Sequence, residues 1–455
     1  MKSQEEVLVS VTGLNRRGWG VSTPSKMEVV GGVPGDTLKV KLQKKKRSTW
    51  HATLLEVMTP SPLRVPLRCA HAPSCGGCSW QQIQYQEQLL EKERRVKTLF
   101  PSIPCEPIVA CQDPWGYRNK MEFSFSQNRA GDFFLGLILA GTRGHVFNLI
   151  ECHLVSPWYA ALLKEVRTWW QNSSLLAYKM DNTGSLRTLI VREGKRTGDK
   201  LVFLTVSGNP DYALNPVQLH TFIEAVKASV PDKSALSIFL RIQQIHKGSP
   251  TQFFEMHLFG KDHLLEKLSL SRDFFFKISP TSFFQPNTAQ AEVLYKVAFS
   301  KVSWPKKHVL DLYAGTSTLG IIAASMAERV TSIEINPHAC FDAESNKELN
   351  GLSNLEILCG DVGEKLQELM NRLDFTPPDL ILLDPPRTGL DSIALTHLKT
   401  LSSPEILYIS CNPETQAANV QELIAFGYCI KKLQPIDQFP HTPHIENIVL
   451  LSLSP

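Results

Sequence analysis

The sequence is short of several things, and each shortage removes a class of protein. No apolar run approaches the roughly 18 residues of a membrane-spanning helix. The opening MKSQEEVLVS lacks the charged-then-apolar pattern of an export signal. A soluble cytoplasmic protein is therefore expected. Net charge is small: 48 Lys and Arg against 44 Asp and Glu leave +4, too little over this length to name a polyanionic partner from the total. There is no internal repeat, no G-x-x-x-x-G-K-[ST] phosphate loop and no G-x-G-x-x-G fingerprint, which argues against nucleoside triphosphatases and pyrophosphate-bearing dinucleotides. What remains is ordinary globular material. The 455 positions are 43% hydrophobic and 20% charged, enough for about three domains of roughly 100 to 200 residues.

Charge placement says more than its sum. Lys39, Lys41, Lys44, Lys45, Lys46 and Arg47 crowd one segment, which on a folded surface could neutralise several phosphates and otherwise is a solvated basic loop. Ten cysteines in a cytoplasmic chain should be mostly reduced, so no disulfide framework is expected. Cys69, Cys75 and Cys78 form a C-x5-C-x2-C set in CAHAPSCGGC, where glycines permit tight turns and thiolates are soft anionic ligands. A fourth ligand is needed. Cys152 in IECHLVSP is the best candidate, with Cys105 and Cys111 nearer but in less turn-rich surroundings. Spacing alone does not separate zinc from an iron-sulfur cluster.

Three regions follow from the texture of the chain. Residues 1–60 alternate with period two between Gly and Pro turns (EVLVSVTGL, TLKVKLQKKK), as in a small OB-like β-barrel. Residues 61–277 carry the cysteine set, a charged helix from Gln81 to about Leu99, then β-rich runs (MEFSFS, LRTLIVRE, KLVFLTVS) and one helical stretch near VQLHTFIEAVKASV, a mixed α+β domain. From residue 278 apolar strands alternate with helices (HVLDLYAG, RVTSIEIN, LEILCGD, DLILLDPP, EILYISC). This α/β pattern predicts a mostly parallel, Rossmann-like sheet covered on both faces, with ligands at the carboxyl ends of its strands.

Chemistry-bearing residues gather at those ends. HVLDLYAGTSTLG runs a strand into a turn at Gly315 and then a helix, giving a ligand close access to backbone. Glu334 ends the next strand, where an acid can hold both ribose hydroxyls, and Asp361 is placed to meet an adenine edge. An adenosyl cofactor without a pyrophosphate, such as S-adenosylmethionine, suits this set. Cys411 follows another apolar strand and precedes Asn-Pro, so its thiol should be displayed on a loop. Asp384 ends LILLDPP, and Glu446 opens a final strand in FPHTPHIENIVLL. A nucleophile, an acid beside the cofactor and a second carboxylate are what a covalent methyl transfer requires.

TSFFQPN, DLYAG, SIEIN, DPPRTGLD, SCNP and FPHTPHIE occur in this order, and the chain resembles the RNA 5-methyluridine methyltransferases. The N-terminal barrel is similar to a TRAM domain. The resemblance makes Cys69, Cys75, Cys78 and Cys152 ligands of a [4Fe-4S] cluster, with zinc the alternative, as in the 23S ribosomal RNA branch. Since the transfer RNA branch typically lacks both additions, 23S rRNA is the favoured partner; no membrane and no obligate protein partner is implied. It further implies that Cys411 adds to uracil C6, that Glu446 is the base, and that Asp384 lies near cofactor and ring. Gln285, Tyr313, Gly315, Thr318, Glu334 and Asp361 fall on cofactor positions. Arg118, in GYRNKMEF, matches a segment near the substrate, and Lys44, Lys45, Lys46 and Arg47 are candidate RNA contacts. The chain departs from the family's Cys-Gly-x-Gly-x-Phe after the first strand, having Ala314, Gly315, Thr316, Ser317, Thr318 and Leu319. Other readings are a transfer RNA uridine-C5 or RNA cytosine-C5 methyltransferase, an exocyclic-amine methyltransferase, and a non-catalytic RNA-binding assembly factor. Against the cytosine enzyme, LILLDPPRT has no cysteine beside its prolines.

Overall fold

The computed structural model describes residues 4–454 apart from 24–25, 73, 143 and 246–247. Its N-terminal part is a six-stranded sheet with its own small core. In the strand Thr37–Lys46 the alternation of TLKVKL buries Leu38, Val40 and Leu42 completely. Lys39 and Lys41 point the other way, as a pleated strand requires. From Gln43 onward both faces are exposed, and the antiparallel partner Thr49–Thr59 returns from a tip that displays Lys44 to Arg47. The exit segment is pinned by Asp36, whose carboxylate accepts from the Arg64 guanidinium at 2.6 and 3.1 Å and from the amides of Val33 and Ser61.

A seven-stranded sheet forms the middle of the molecule, with Gln252–Phe259 and Val146–Asn148 at its edges. Its one parallel pair, Lys200–Ser207 with Leu236–Gln244, is joined across the helix Pro216–Ala228. The sequence leads one to expect a single helix here; the structure adds Trp158–Gln171. Its buried stripe Tyr159, Leu162, Val166, Trp169 and Trp170 packs with Phe222 and Val226 against one face of the sheet. Aromatic residues have modest helix propensity, so burial rather than propensity stabilises this helix. The opposite face sends Ile190, Leu201, Phe203 and Phe239 into a core shared with the C-terminal part.

The last sheet has the order Leu355–Cys359, Ala327–Glu334, Lys306–Leu312, Leu380–Leu383, Glu405–Ser410, Glu446–Leu453, Tyr428–Ile436. The first five strands are parallel and Glu446–Leu453 runs against them. Leu380 and Leu382 enter one core while Ile381 and Leu383 enter another. Helices thus cover both faces, which is why these strands are apolar throughout rather than alternating. Strand order reverses between Lys306–Leu312 and Leu380–Leu383, so their loops diverge and leave a crevice at the carboxyl edge. No helix among the described residues is long and apolar enough to cross a membrane.

Candidate active site

The crevice is a cavity of about 490 Å³ lined by Gln285, Tyr313, Gly315, Thr318, Asp384, Arg387, Cys411, His444 and Glu446, among others. Topology explains why the reactive groups meet. Cys411 follows a parallel strand, whereas Glu446 opens an antiparallel one; because Ser410 pairs with Asn447, the two side chains come to the same edge of the sheet. Asn412 caps the helix Pro413–Phe426, and its side-chain amide donates to the Arg387 carbonyl at 2.9 Å. That bond ties the loop beyond Asp384 to the nucleophile's own turn.

Electrostatics in the cavity are those of several acids in an apolar enclosure. Burial pushes the Cys411 thiol up to about 12, with the charges of Glu446 and Asp384 adding to the rise and Arg387 opposing it. Burial raises Asp384 to about 7. Glu446, 2% exposed, is driven well above the usual carboxylate range by burial and then by Asp384, and its Oε2 has no hydrogen-bond partner. Like charges this close ionise in turn rather than together.

The turn after the first strand holds Tyr313, Gly315 and Ser317 at φ of 60°, 57° and 55°, a left-handed conformation that non-glycine residues adopt only where surroundings enforce it. The Ser317 hydroxyl lies 2.7 Å from that of Ser332 and helps to fix it. A Cβ on Gly315 would meet nothing within 4 Å, so the turn borders open space that fits a cofactor approaching backbone. Beneath it Asp311 accepts from the Gly320 amide and the Ser332 hydroxyl, with Oδ1 left unpartnered and burial raising its carboxyl to about 7.

Not every sequence-derived residue reaches the cavity wall. Glu334 accepts from the amides of Gly315 and Asn336, both at 2.8 Å, and so shapes the glycine turn instead of lining the cavity. Asp361 is exposed and caps the helix Val362–Met370 through the amides of Gly363 and Glu364. Gln285 is buried and its Oε1 accepts from Gln438 at 3.4 Å. Arg118 lines an adjoining groove. Sequence reasoning passed over Arg387 and His444, which meet at 3.3 Å, although both lie within the DPPRTG and FPHTPHIE segments. Cys69, Cys75, Cys78 and Cys152 approach closely enough that the other three each raise the Cys78 thiol, which burial above all pushes to about 12. Among the described residues no group of three or more His, Cys, Asp or Glu side chains is arranged to hold a metal ion.

A parallel sheet with the reversed strand Glu446–Leu453 inserted beside its edge, and a glycine turn over a crevice, defines a Rossmann-like methyltransferase fold. The whole chain superposes on the Pyrococcus abyssi tRNA (uracil-54, C5)-methyltransferase in complex with S-adenosyl-L-homocysteine, with a TM-score of 0.77 at 24% identity, covering 98% of this chain and 100% of that one. Residues 234–454 match the family model described as tRNA (Uracil-5-)-methyltransferase. An uncharacterized RNA methyltransferase of Protochlamydia amoebophila is 47% identical over 94% of this chain and 100% of its own length. One from Caldanaerobacter subterraneus subsp. tengcongensis is 32% identical over 100% of both. The chain belongs to the RNA uracil-5-methyltransferase family and is an S-adenosylmethionine-dependent RNA methyltransferase.

Proposed function

We propose that this enzyme, acting in the cytoplasm, methylates uracil C5 in 23S rRNA through a covalent adduct on Cys411. The observation that carries the reading is the meeting of Cys411 and Glu446 in one cavity beside the strand-order reversal. Uracil C5 is too weak a nucleophile to be alkylated unaided. Once the Cys411 thiol has released its proton to solvent, attack of the thiolate on C6 forms a C–S bond and drives the C5–C6 π electrons toward the C4 carbonyl, making C5 the nucleophilic end of an enolate. S-adenosylmethionine, when bound, supplies the electrophilic methyl that C5 takes. Glu446 then accepts the C5 proton, the C5–C6 double bond re-forms and the thiolate leaves. Asp384, with its carboxyl held near neutral pH, can donate a hydrogen bond to the ring edge while protonated, and Arg387 steadies developing negative charge. Gln285, Tyr313, Gly315 and Thr318 would hold the cofactor, with Glu334 and Asp361 shaping its ribose and adenine end.

RNA in which the target uridine carries fluorine at C5 tests this directly, because fluorine does not leave as a proton does. Wild-type enzyme should give a denaturant-stable conjugate and Cys411→Ala none. Absence of a conjugate while normal RNA is still methylated would overturn the mechanism.

Residues 1–60 are proposed to form a TRAM-like RNA-binding domain, 61–277 a central domain and 278–455 the catalytic domain. Cys69, Cys75, Cys78 and Cys152 are proposed to carry a [4Fe-4S] cluster, a reading supported by the proximity through which the other three each raise the Cys78 thiol and by the Gly77 amide donating to the Cys75 sulfur at 3.3 Å. Protein purified without oxygen should then be brown; colourless protein with stoichiometric zinc would replace the assignment. A transfer RNA substrate is the second reading. It is favoured by the similarity of the P. abyssi tRNA enzyme over 98% of this chain, since extra domains then no longer separate the two RNA classes. Mapping 5-methyluridine in both RNAs, with and without the protein, decides between them.

A further inference from the structure

A second groove of about 660 Å³ adjoins the cavity and shares Phe283, Phe284 and Pro286 with its wall. Three cations meet on its floor. Lys120 pairs with Arg192 across adjacent strands, and the Arg118 Nε donates to the Lys120 carbonyl at 3.4 Å. Arg192 is 4% exposed, yet among the described residues its Nε has no partner, its side chain's one hydrogen bond runs from Nη2 to the Ser282 carbonyl, and the Ser282 hydroxyl is also unpartnered. Among the described residues the Lys120 ammonium makes no ion pair. Burial, and after it the charge of Arg192, brings Lys120 down to about 8. The carboxylates acting on Lys120 and Arg192 are Glu122, exposed on the groove, and Asp342, which is bonded to Ser279.

We infer that Arg118, Lys120 and Arg192 form a binding site for a backbone phosphodiester of the RNA next to the target uridine. The inference rests on the proposed uracil chemistry and deepens it. Three adjacent cations repel one another, and a desolvated guanidinium with an orphan N–H is costly unless an anion meets it. A phosphodiester matches in charge and acceptor number, and planar guanidinium groups suit phosphate oxygens. A free purine or apolar ligand would leave the donors unsatisfied. Because the groove and the cavity share a wall at Phe283, a base turned into the cavity leaves its neighbouring phosphate over the groove. The enzyme then grips the strand beside the reacting base, where unstacking must occur.

The test uses full-length enzyme and a short single-stranded RNA with one uridine, with or without a neutral methylphosphonate at the linkage on either side of it. Lys120→Gln and the correct methylphosphonate should each weaken RNA binding roughly tenfold or more, and together no more than either alone. The slope of log affinity against log salt should fall by roughly 0.7 in Lys120→Gln, and Lys120→Arg should restore most of the loss. Unchanged S-adenosylmethionine affinity shows that the variants are folded. Additive losses, or no effect of Lys120→Gln, would overturn the inference. Protection of Lys120 from amine-modifying reagent by inorganic phosphate but not by the RNA would assign the site to free phosphate and overturn it too. Binding is measured in Cys411→Ala as well, so failure of the methylation chemistry is distinguishable from failure of this site.

Discussion

The Lys92 ammonium and the Asp437 carboxylate, 345 residues apart in the chain, lie 2.5 Å from each other with neither side chain reaching solvent. Lys92 also donates to the Phe439 carbonyl at 3.0 Å, and the Tyr85 hydroxyl donates to the other Asp437 oxygen at 2.7 Å. A helix that flanks the cysteine loop thereby grips the segment leading to His444 and Glu446. Nearby, Gln88 donates and accepts around His441, which sits at φ 64° and packs against Trp115 with the rings tilted by 32° and their centroids 4.0 Å apart. Burial above all lowers the Lys92 pKa, the nearby Arg95 charge adds to the fall, and Asp437 works in the opposite direction.

Removing one partner strands the other charge in a dry interior. Lys92→Met is expected to destabilise the fold by about 3–5 kcal/mol, whereas Lys92→Met with Asp437→Leu should recover much of that loss. Asp437→Asn should lower the methylation rate more than S-adenosylmethionine affinity, because it loosens the segment that leads to Glu446. Thermal melting and cofactor titration of the three variants check this; equal melting temperatures for Lys92→Met and wild type would contradict it.

The raised Cys411 thiol makes a second forecast. With a pKa near 12 it should be alkylated by iodoacetamide more slowly at pH 7 than an ordinary thiol of about 8.5. Glu446→Gln removes a carboxyl whose ionised form raises the thiol, so labelling should accelerate as pH rises and Glu446 would otherwise ionise. Site-resolved mass spectrometry separates Cys411 from the other nine cysteines. Rapid labelling at pH 7 that Glu446→Gln leaves unchanged would show that these acids do not control the thiol.

How much of this was legible differs residue by residue. Apolar strands ending in Asp384 and Cys411, and a last strand opening at Glu446, were readable because a covered parallel sheet needs continuous apolar runs. Their arrival in one cavity needed the reversal of the final strand, which no local pattern encodes. Glu334 and Asp361 were legible as strand-end acids, but not as acceptors of nearby backbone amides; that choice depends on the φ values of the glycine turn and on a helix start. The helix Trp158–Gln171 was missed because its tryptophans read equally well as strand residues. Lys92 looked like one more charge on a surface helix, and only the folded chain sets it against Asp437. Lys39, counted with the basic run, is paired to Glu6 at 2.9 Å.

Stability should respond to pH through Asp311 and Asp384, each raised by burial to about 7. The unfolded chain releases these protons near pH 4 while the folded protein retains them. The stabilising contribution is therefore full below about pH 4 and is lost as pH rises to about 7, at roughly 1.4 kcal/mol per unit for each group. Asp384→Asn removes the Asp384 share of that dependence and leaves the Asp311 share. Its melting temperature relative to wild type should be higher at pH 8 than at pH 5, and the reverse order would mean that the carboxyl ionises readily in the fold.

The hairpin tip bearing Lys44, Lys45, Lys46 and Arg47 is exposed on both faces, and Lys45 sits 5.9 Å over the Trp50 ring. Nothing in the core depends on it, so charge reversal there tests RNA binding without disturbing the fold. Deleting residues 1–58 is a harsher probe. The Trp80 indole donates to the Gly18 carbonyl at 3.0 Å, packs with Val33 and Ile83, and its backbone amide donates to the His441 carbonyl. Loss of the N-terminal sheet would uncover that tryptophan beside the Glu446 segment. Lys44→Glu with Lys45→Glu and Lys46→Glu should therefore weaken RNA affinity and flatten its salt dependence by roughly 0.7 to 0.9 for each lost phosphate contact, leaving cofactor affinity unchanged. Trp80→Ala should lower both RNA affinity and turnover. If the triple reversal leaves RNA affinity and its salt slope intact, the basic tip is a solvated loop and the RNA is held elsewhere.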